Sequence, residues 1–290
     1  MTAAHFPGFA ATVLVGLTAC RGASGPKITL RYHPPAGAAY HYALEQQSTM
    51  RVDGGPRSPM PEQAYTMRMY YTQVVTGPTK GGTGVTVTFD STALEAPGMG
   101  AGAMQPALDR MRGMKSIVVY DDRMHVLSAA FSGLAGAPSP ITDQMGTSVK
   151  AMALPLPEAP VGVGDSWVSE QELPLGQQLS PDKPIKSRTT HTVREIQVVG
   201  SDTSVLLAVE TRFPDAPIEL TQQGQQVTMK LSGGLNGEQL FSLSRSVPVR
   251  TTMGGTMKMK MNMHGQARPK GSEMTIAMTQ HTSLQLAEAK

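Results

Sequence analysis

The chain has 290 residues, with 25 Lys and Arg against 22 Asp and Glu, a formal net charge of +3, and an unusual 20 Met beside a single Cys. Its basic side chains are scattered among acids with no dense run, which argues against a nucleic-acid footprint. One cysteine cannot form an internal disulfide, and no nucleic-acid partner is expected.

In chain order, the first element is an apolar run from Phe6 to Leu17 that ends at Cys20. At about 12 residues it has the length of a secretory signal core and falls short of the roughly 20 a spanning helix needs. Met1 to His5 carries no Lys or Arg, a departure from the positive start of such signals. Residues 1–19 read as a signal peptide and 20–27 as a tether, because Arg21 to Pro26 is small and polar.

From Ile28 the dominant pattern is period-two alternation. Tyr40, Tyr42 and Leu44 alternate with His41, Ala43 and Glu45, and Tyr65, Met67, Met69 and Tyr71 repeat the pattern, which predicts half-buried antiparallel strands. A hairpin is expected from Ile117 to Tyr120, turning at Asp121-Asp122 and returning through Met124 and Val126. Two stretches have helical spacing, about 103 to 113 and Pro140 to Met152, and predict short amphipathic helices lying on a sheet. Leu154 to Val163, rich in proline, is an extended connector between an N-terminal β half (28–153) and a C-terminal one (164–287).

The same order of events recurs after the connector. Gly164-Asp-Ser-Trp167 echoes Gly37-Ala-Ala-Tyr40, Gln197-Val-Val199 echoes Gln73-Val-Val75, and Thr203-Ser-Val205 echoes Thr83-Gly-Val85. Two duplicated halves within one continuous domain are the reading this suggests. Strands are expected near 186–199, 204–213, 217–231, 237–247, 250–264 and 273–286. Trp167, the sole tryptophan, is expected to anchor the core or the seam between the halves. The fold class is therefore mainly β: a large curved antiparallel sheet or open half-barrel with two short helices packed on it.

Chemistry is sparse. Seven His never fall into a close metal-ligand spacing, and no Gly-x-Ser-x-Gly occurs, so no catalytic residue, metal or cofactor is assigned and no enzyme is expected. Met257, Met259, Met261 and Met263 alternate with Lys258, Lys260, Asn262 and His264. Thioethers suit Cu(I), but strand alternation accounts for this spacing without a metal. Four flexible thioethers on one face, with Met67 and Met69 on another strand, are expected to line an apolar groove that adapts to acyl chains.

Leu17-Thr18-Ala19-Cys20 resembles the lipobox of a bacterial lipoprotein precursor. The resemblance implies cleavage after Leu17, Thr18 and Ala19 and acylation of Cys20, and several acyl chains hold a protein on a membrane stably where one does not. Arg21 follows the cysteine where Asp would favour the inner membrane, so the outer membrane facing the periplasm is implied. With the alternating strands, the Val163-Gly-Asp-Ser-Trp167 opening and the Phe241 to Met263 hairpin, the chain resembles bacterial lipoproteins of a domain-of-unknown-function family. That resemblance implies a half-barrel like the lipoprotein carriers of the LolA, LolB and LppX type, but no site residue to carry over. Together these imply a lipid-anchored envelope protein that binds a lipid or other hydrophobic ligand; the alternative is a structural or assembly protein of the envelope whose protein partner is unknown, with a periplasmic hydrolase or a copper-binding protein as more remote readings.

Overall fold

A computed structural model describes residues 25–54, 60–96, 108–132, 155–173, 180–181, 185–222, 225–263 and 273–287. Among these residues thirteen strands make one antiparallel sheet. In the first half these are β1 (Ala39–Gly54), β2 (Met60–Thr79), β3 (Gly82–Glu95), β4 (Lys115–Tyr120) and β5 (Val126–Ser132). The second half contributes β6 (Ser166–Glu172), β7 (Ser180–Pro181), β8 (Lys186–Val199), β9 (Asp202–Arg212), β10 (Ile218–Gln222), β11 (Gln225–Ser242), β12 (Val247–Met263) and β13 (Glu273–Leu286). The order across the sheet is β5-β4-β3-β2-β1-β13-β12-β11-β9-β8-β6, with β10 paired to β11 and β7 to β10. The order does not close on itself, so β5 and β6 are its two edges.

The sheet is strongly curved. Six strand spacings separate β3 from β9, about 29 Å across a flat sheet, yet Val85 and Val205 belong to one packed core. A line of glycines lets the strands bend. Gly233 has φ 101°, in the region only glycine adopts freely, and Gly234, Leu235, Asn236 and Gly237 of β11 pair with Thr256, Gly255, Gly254 and Met253 of β12. The backbones approach so closely there that a Cβ on Gly237 would meet the Thr252 carbonyl. Gly233, Gly234 and Gly237 sit inside one 18-residue strand, where the sequence pattern predicts two, 217–231 and 237–247. β10 ends at Gln222 and β11 begins at Gln225, and the glycines crease β11 without ending it.

Each flank repeats the other's pairings. β1, β2, β3, β4 and β5 pair in succession, and so do β6, β8, β9, β11 and β12. The β2–β3 hairpin tip, Thr79 opposite Gly82, recurs 120 positions on as Val199 opposite Asp202, and the first nine residues of β3 and β9 share one burial pattern. On that register the counterpart of Trp167 is Tyr42, two places beyond the Tyr40 that the sequence echo pairs with it. Tyr42 stacks on Tyr71 with ring centroids 5.3 Å apart, and Trp167 stacks on His191 at 4.9 Å.

The core fills the end of the sheet where β1 begins and β2 ends. Val75, Val85 and Val118 from one flank meet Val193, Val205, Leu207 and Phe241 from the other. Two extended segments clasp it: Ile28 and Val161 exchange backbone hydrogen bonds of 2.8 Å, the Tyr32 amide donates to Asp122 O, and the Leu156 amide to Arg123 O. Leu30, Tyr32, Leu156 and Val161 are buried in consequence. The Trp167 indole N–H donates to Pro155 O at 2.9 Å, tying the connector to edge strand β6. Asp165 accepts from the Gly162 amide at 3.0 Å and pairs with Lys27 at 3.2 Å; Asp121 accepts from the amides of Arg123 and His125. Both aspartates are turn residues, as their short side chains favour.

The two expected helices are not shown. Residues 140–152 lie outside the described residues, as do 103–107; Leu108 and Asp109 are helical and 110–113 form a turn, with the Met111 and Arg112 amides bonded three residues back.

Candidate ligand groove

The alternation that builds the strands also sorts their side chains by charge. On β1 the even-numbered positions from Tyr40 to Val52 face the concave side. The register carries that face to Leu286, Leu284, Thr282, Gln280, Met278, Ile276 and Met274 on β13, then to Met253, Met257, Met259 and Met261 on β12 and to Leu231 and Met229 on β11. Lys258, Lys260, Lys230 and Glu273 fall on the convex face, with Lys260 and Glu273 paired at 3.1 Å. Among the described strand residues, Asp, Glu, Lys and Arg occupy the convex face, the bulges or the strand ends.

Away from the clasped end, the concave face becomes a methionine surface. Met50, Met278 and Met257 stand side by side across β1, β13 and β12; one step further are Val52, Ile276, Met259 and Leu231, and beyond them Met274, Met261 and Met229. Met229 and Leu231 are buried beneath Leu220 and Val227, whereas Met50, Val52, Met257, Met259, Met274, Ile276 and Met278 are only half-buried. Their apolar surface is thus partly left to solvent on a concave face. Met263 ends β12 opposite Val227, and its side chain lies outside the described residues. Met67 and Met69 face the same side but at another level, opposite Gln46 and Leu44 of β1, so the register does not place them in the Met257–Met261 patch. Cys20 and the motif Leu17, Thr18 and Ala19 lie outside the described residues.

Between the aromatic core and the methionines runs a band of uncharged polar side chains. Gln46 and Ser48 on β1 lie opposite Thr282 and Gln280 on β13; Thr251 and Gln239 face one another on β12 and β11; His191 and Thr189 continue the band on β8. Gln46 Nε2 donates to Ser48 Oγ at 3.3 Å and Gln280 Nε2 to Thr282 Oγ1 at 3.2 Å. His191 is 1% exposed and Gln239 2%. His191 Nε2 lies 3.1 Å from Ser169 Oγ, while His191 Nδ1 and Gln239 Oε1 have no hydrogen-bond partner. Burial holds the imidazole in its neutral form, with its pKa pushed down to about 4. Among the described residues no acid orients the ring, so the pairing with Ser169 is a serine–histidine contact without the third member of a triad there. Sequence reasoning missed His191; its one signal was inward parity with Thr189 and Val193.

Burial likewise raises the phenols of Tyr42, Tyr71 and Tyr120, the last up to about 12, so the aromatic end is uncharged at any physiological pH. Two open grooves lie on the convex face instead: one of about 630 Å³ along Thr190, Thr192, Arg194, Glu210, Asn236 and Glu238, and one of about 310 Å³ beside Glu45, Arg68 and His281. Both are shallow and polar. Among the described residues no His, Cys, Asp or Glu side chains are grouped to hold a metal, and no helix is long and apolar enough to cross a membrane.

No known protein family and no curated protein sequence matches the chain. Among solved structures it is similar to one describing lipid–protein interactions in lipovitellin, at 11% identity and a TM-score of 0.47, over 89% of this chain and 26% of that one. It therefore spans about a quarter of the lipovitellin chain. A DUF1329 family protein from Desulfovibrio piger is similar at 8% identity and a TM-score of 0.17, over 86% and 87% of the two chains. The P. putida toluene transporter TodX is similar at 10% identity and a TM-score of 0.16, over 88% and 91%.

Proposed function

We propose that this chain is a non-enzymatic, lipid-anchored protein of the bacterial cell envelope, held at the outer membrane through Cys20 and facing the periplasm, whose concave sheet face takes up a lipid or other hydrophobic ligand. The observation that carries the ligand reading is the half-buried methionine surface, continuous across β1, β13 and β12, with charge kept to the other face. A settled core buries its methionines, as Met229 is buried. A surface left half-covered gains about 25 cal/mol for each Å² of apolar area a ligand removes from water, and unbranched thioethers adjust to an irregular chain.

Two experiments test the two parts. Native mass spectrometry and organic extraction of the full chain purified from membranes are expected to recover an acyl-chain ligand near one per protein, and Met259→Asp is expected to reduce it at least about tenfold, since an unpaired carboxylate in an apolar site costs several kcal/mol. A chain that carries nothing ends the ligand reading. Cys20→Ser is expected to move the protein from the membrane to the soluble fraction and to abolish its acyl mass; unchanged fractionation ends the anchor reading.

A second reading, an assembly partner that pairs along a sheet edge, draws on β6. This short edge strand leaves Val168 45% exposed, and Val163 just before it is 58% exposed. Recovery of a stoichiometric protein from cross-linked membranes, lost on Val168→Pro, would favour it.

A further inference from the structure

The proposed groove holds two kinds of surface in sequence, and their boundary points to the class of ligand. From Gln280 to Met274 the concave face of β13 runs six residues, about 20 Å at roughly 3.3 Å each. That exceeds the ~15 Å of one leaflet of a ~30 Å hydrocarbon core, so an acyl chain can lie along the methionines at full length. At the head of this track stand Gln46, Gln280 and Thr282, half-buried, on the paired strands β1 and β13.

We infer, building on the ligand reading above, that the groove selects an amphiphile with an uncharged hydrogen-bonding head, such as a glyceride or an amide, over one with an anionic head. Gln46, Gln280 and Thr282 would receive the head, and the methionines the chain. The chemistry of the band supports this. Its side chains are amides and hydroxyls, which both donate and accept, and the described strands place no Lys or Arg on that face to neutralise a carboxylate or phosphate. Burying an unpaired anion there is far more costly than burying a hydroxyl or ester that finds a partner.

Monooleoylglycerol and oleate share one chain and differ in the head, so they separate head recognition from chain burial. By native mass spectrometry of the full chain at pH 8, monooleoylglycerol is expected to bind at least about tenfold more tightly than oleate. Gln46→Leu combined with Gln280→Leu is expected to weaken monooleoylglycerol about tenfold, the scale of one or two lost hydrogen bonds, with little change for oleate. Thr282→Val, which keeps the side chain's shape, gives a smaller loss in the same direction and guards against a double variant that fails to fold. Oleate binding as tightly as monooleoylglycerol, or a folded double variant with unchanged preference, overturns head selection and leaves the groove standing. If neither probe binds, the groove itself falls.

Discussion

Gly237→Val is expected to prevent the protein from reaching its native sheet. A Cβ at Gly237 would clash with the Thr252 carbonyl oxygen and come within 2.7 Å of its carbon and 2.8 Å of Met253 Cα. All three are backbone atoms of β12, so no rotamer relieves the conflict. Gly255 and Gly233 are equally constrained, by the backbone oxygens of Gly234 and Thr256, so the crease has no slack to absorb a shift at one point. Overpacking a core ordinarily costs about 1–3 kcal/mol; here the register between two long strands must change, and a loss of more than about 4 kcal/mol is expected. In a thermal melt followed by circular dichroism that is a fall of about 10 °C or more, or no cooperative transition. Gly200→Ala is the control: its φ is 63° but nothing lies within 4 Å of its added Cβ, so about 1 kcal/mol of backbone strain is expected. A Gly237→Val melt within about 2 °C of wild type would show that β11 and β12 do not meet as described.

His191→Phe is expected to make the protein more resistant to acid. The imidazole is buried neutral against Trp167, with a folded pKa of about 4 compared with 6.5 as a free side chain. Between those values the unfolded chain binds more protons than the folded one, so stability falls as pH drops from about 6.5 to about 4. The shift of about 2.5 units corresponds to about 3 kcal/mol, fully present above pH 6.5 and lost below pH 4. Phenylalanine keeps the stacked ring and removes both the titration and the unpartnered Nδ1. Urea midpoints of the two chains across pH 4 to 7 should diverge toward low pH, and parallel curves would place His191 in contact with water.

The concave face was legible in the sequence because a strand's side chains alternate: Tyr40, Tyr42 and Leu44, and Met257, Met259 and Met261, point where alternation puts them. What alternation cannot supply is register. Nothing in the sequence states that Met278 and Met50 lie beside Met257, or that Met67 lies beside Gln46 instead, because these neighbours are set by pairings between strands far apart in the chain. The glycines at 233, 234 and 237 read as an end to a strand, since glycine disfavours strand interiors. Only the close approach of β12 shows why they are inside one. The polar band was hidden for the same reason: Gln46, Gln280 and Thr282 are unremarkable until the pairing of β1 with β13 brings them together.

The pairing of β1 with β13 also sets a timetable for folding. Tyr42 faces Leu286 in the middle of the sheet, so the two halves cannot join until the last strand has emerged. Closing a loop of roughly 240 residues costs about 5 kcal/mol in chain entropy before any contact repays it, and topologies dominated by such distant contacts fold slowly. Until that moment both β1 and β12 are bare template edges beside an oily surface, the arrangement that invites aggregation. A nascent copy of this protein therefore keeps both edges open until β13 (Glu273–Leu286) arrives, and a truncation just before Glu273 would strand it in its most adhesive form.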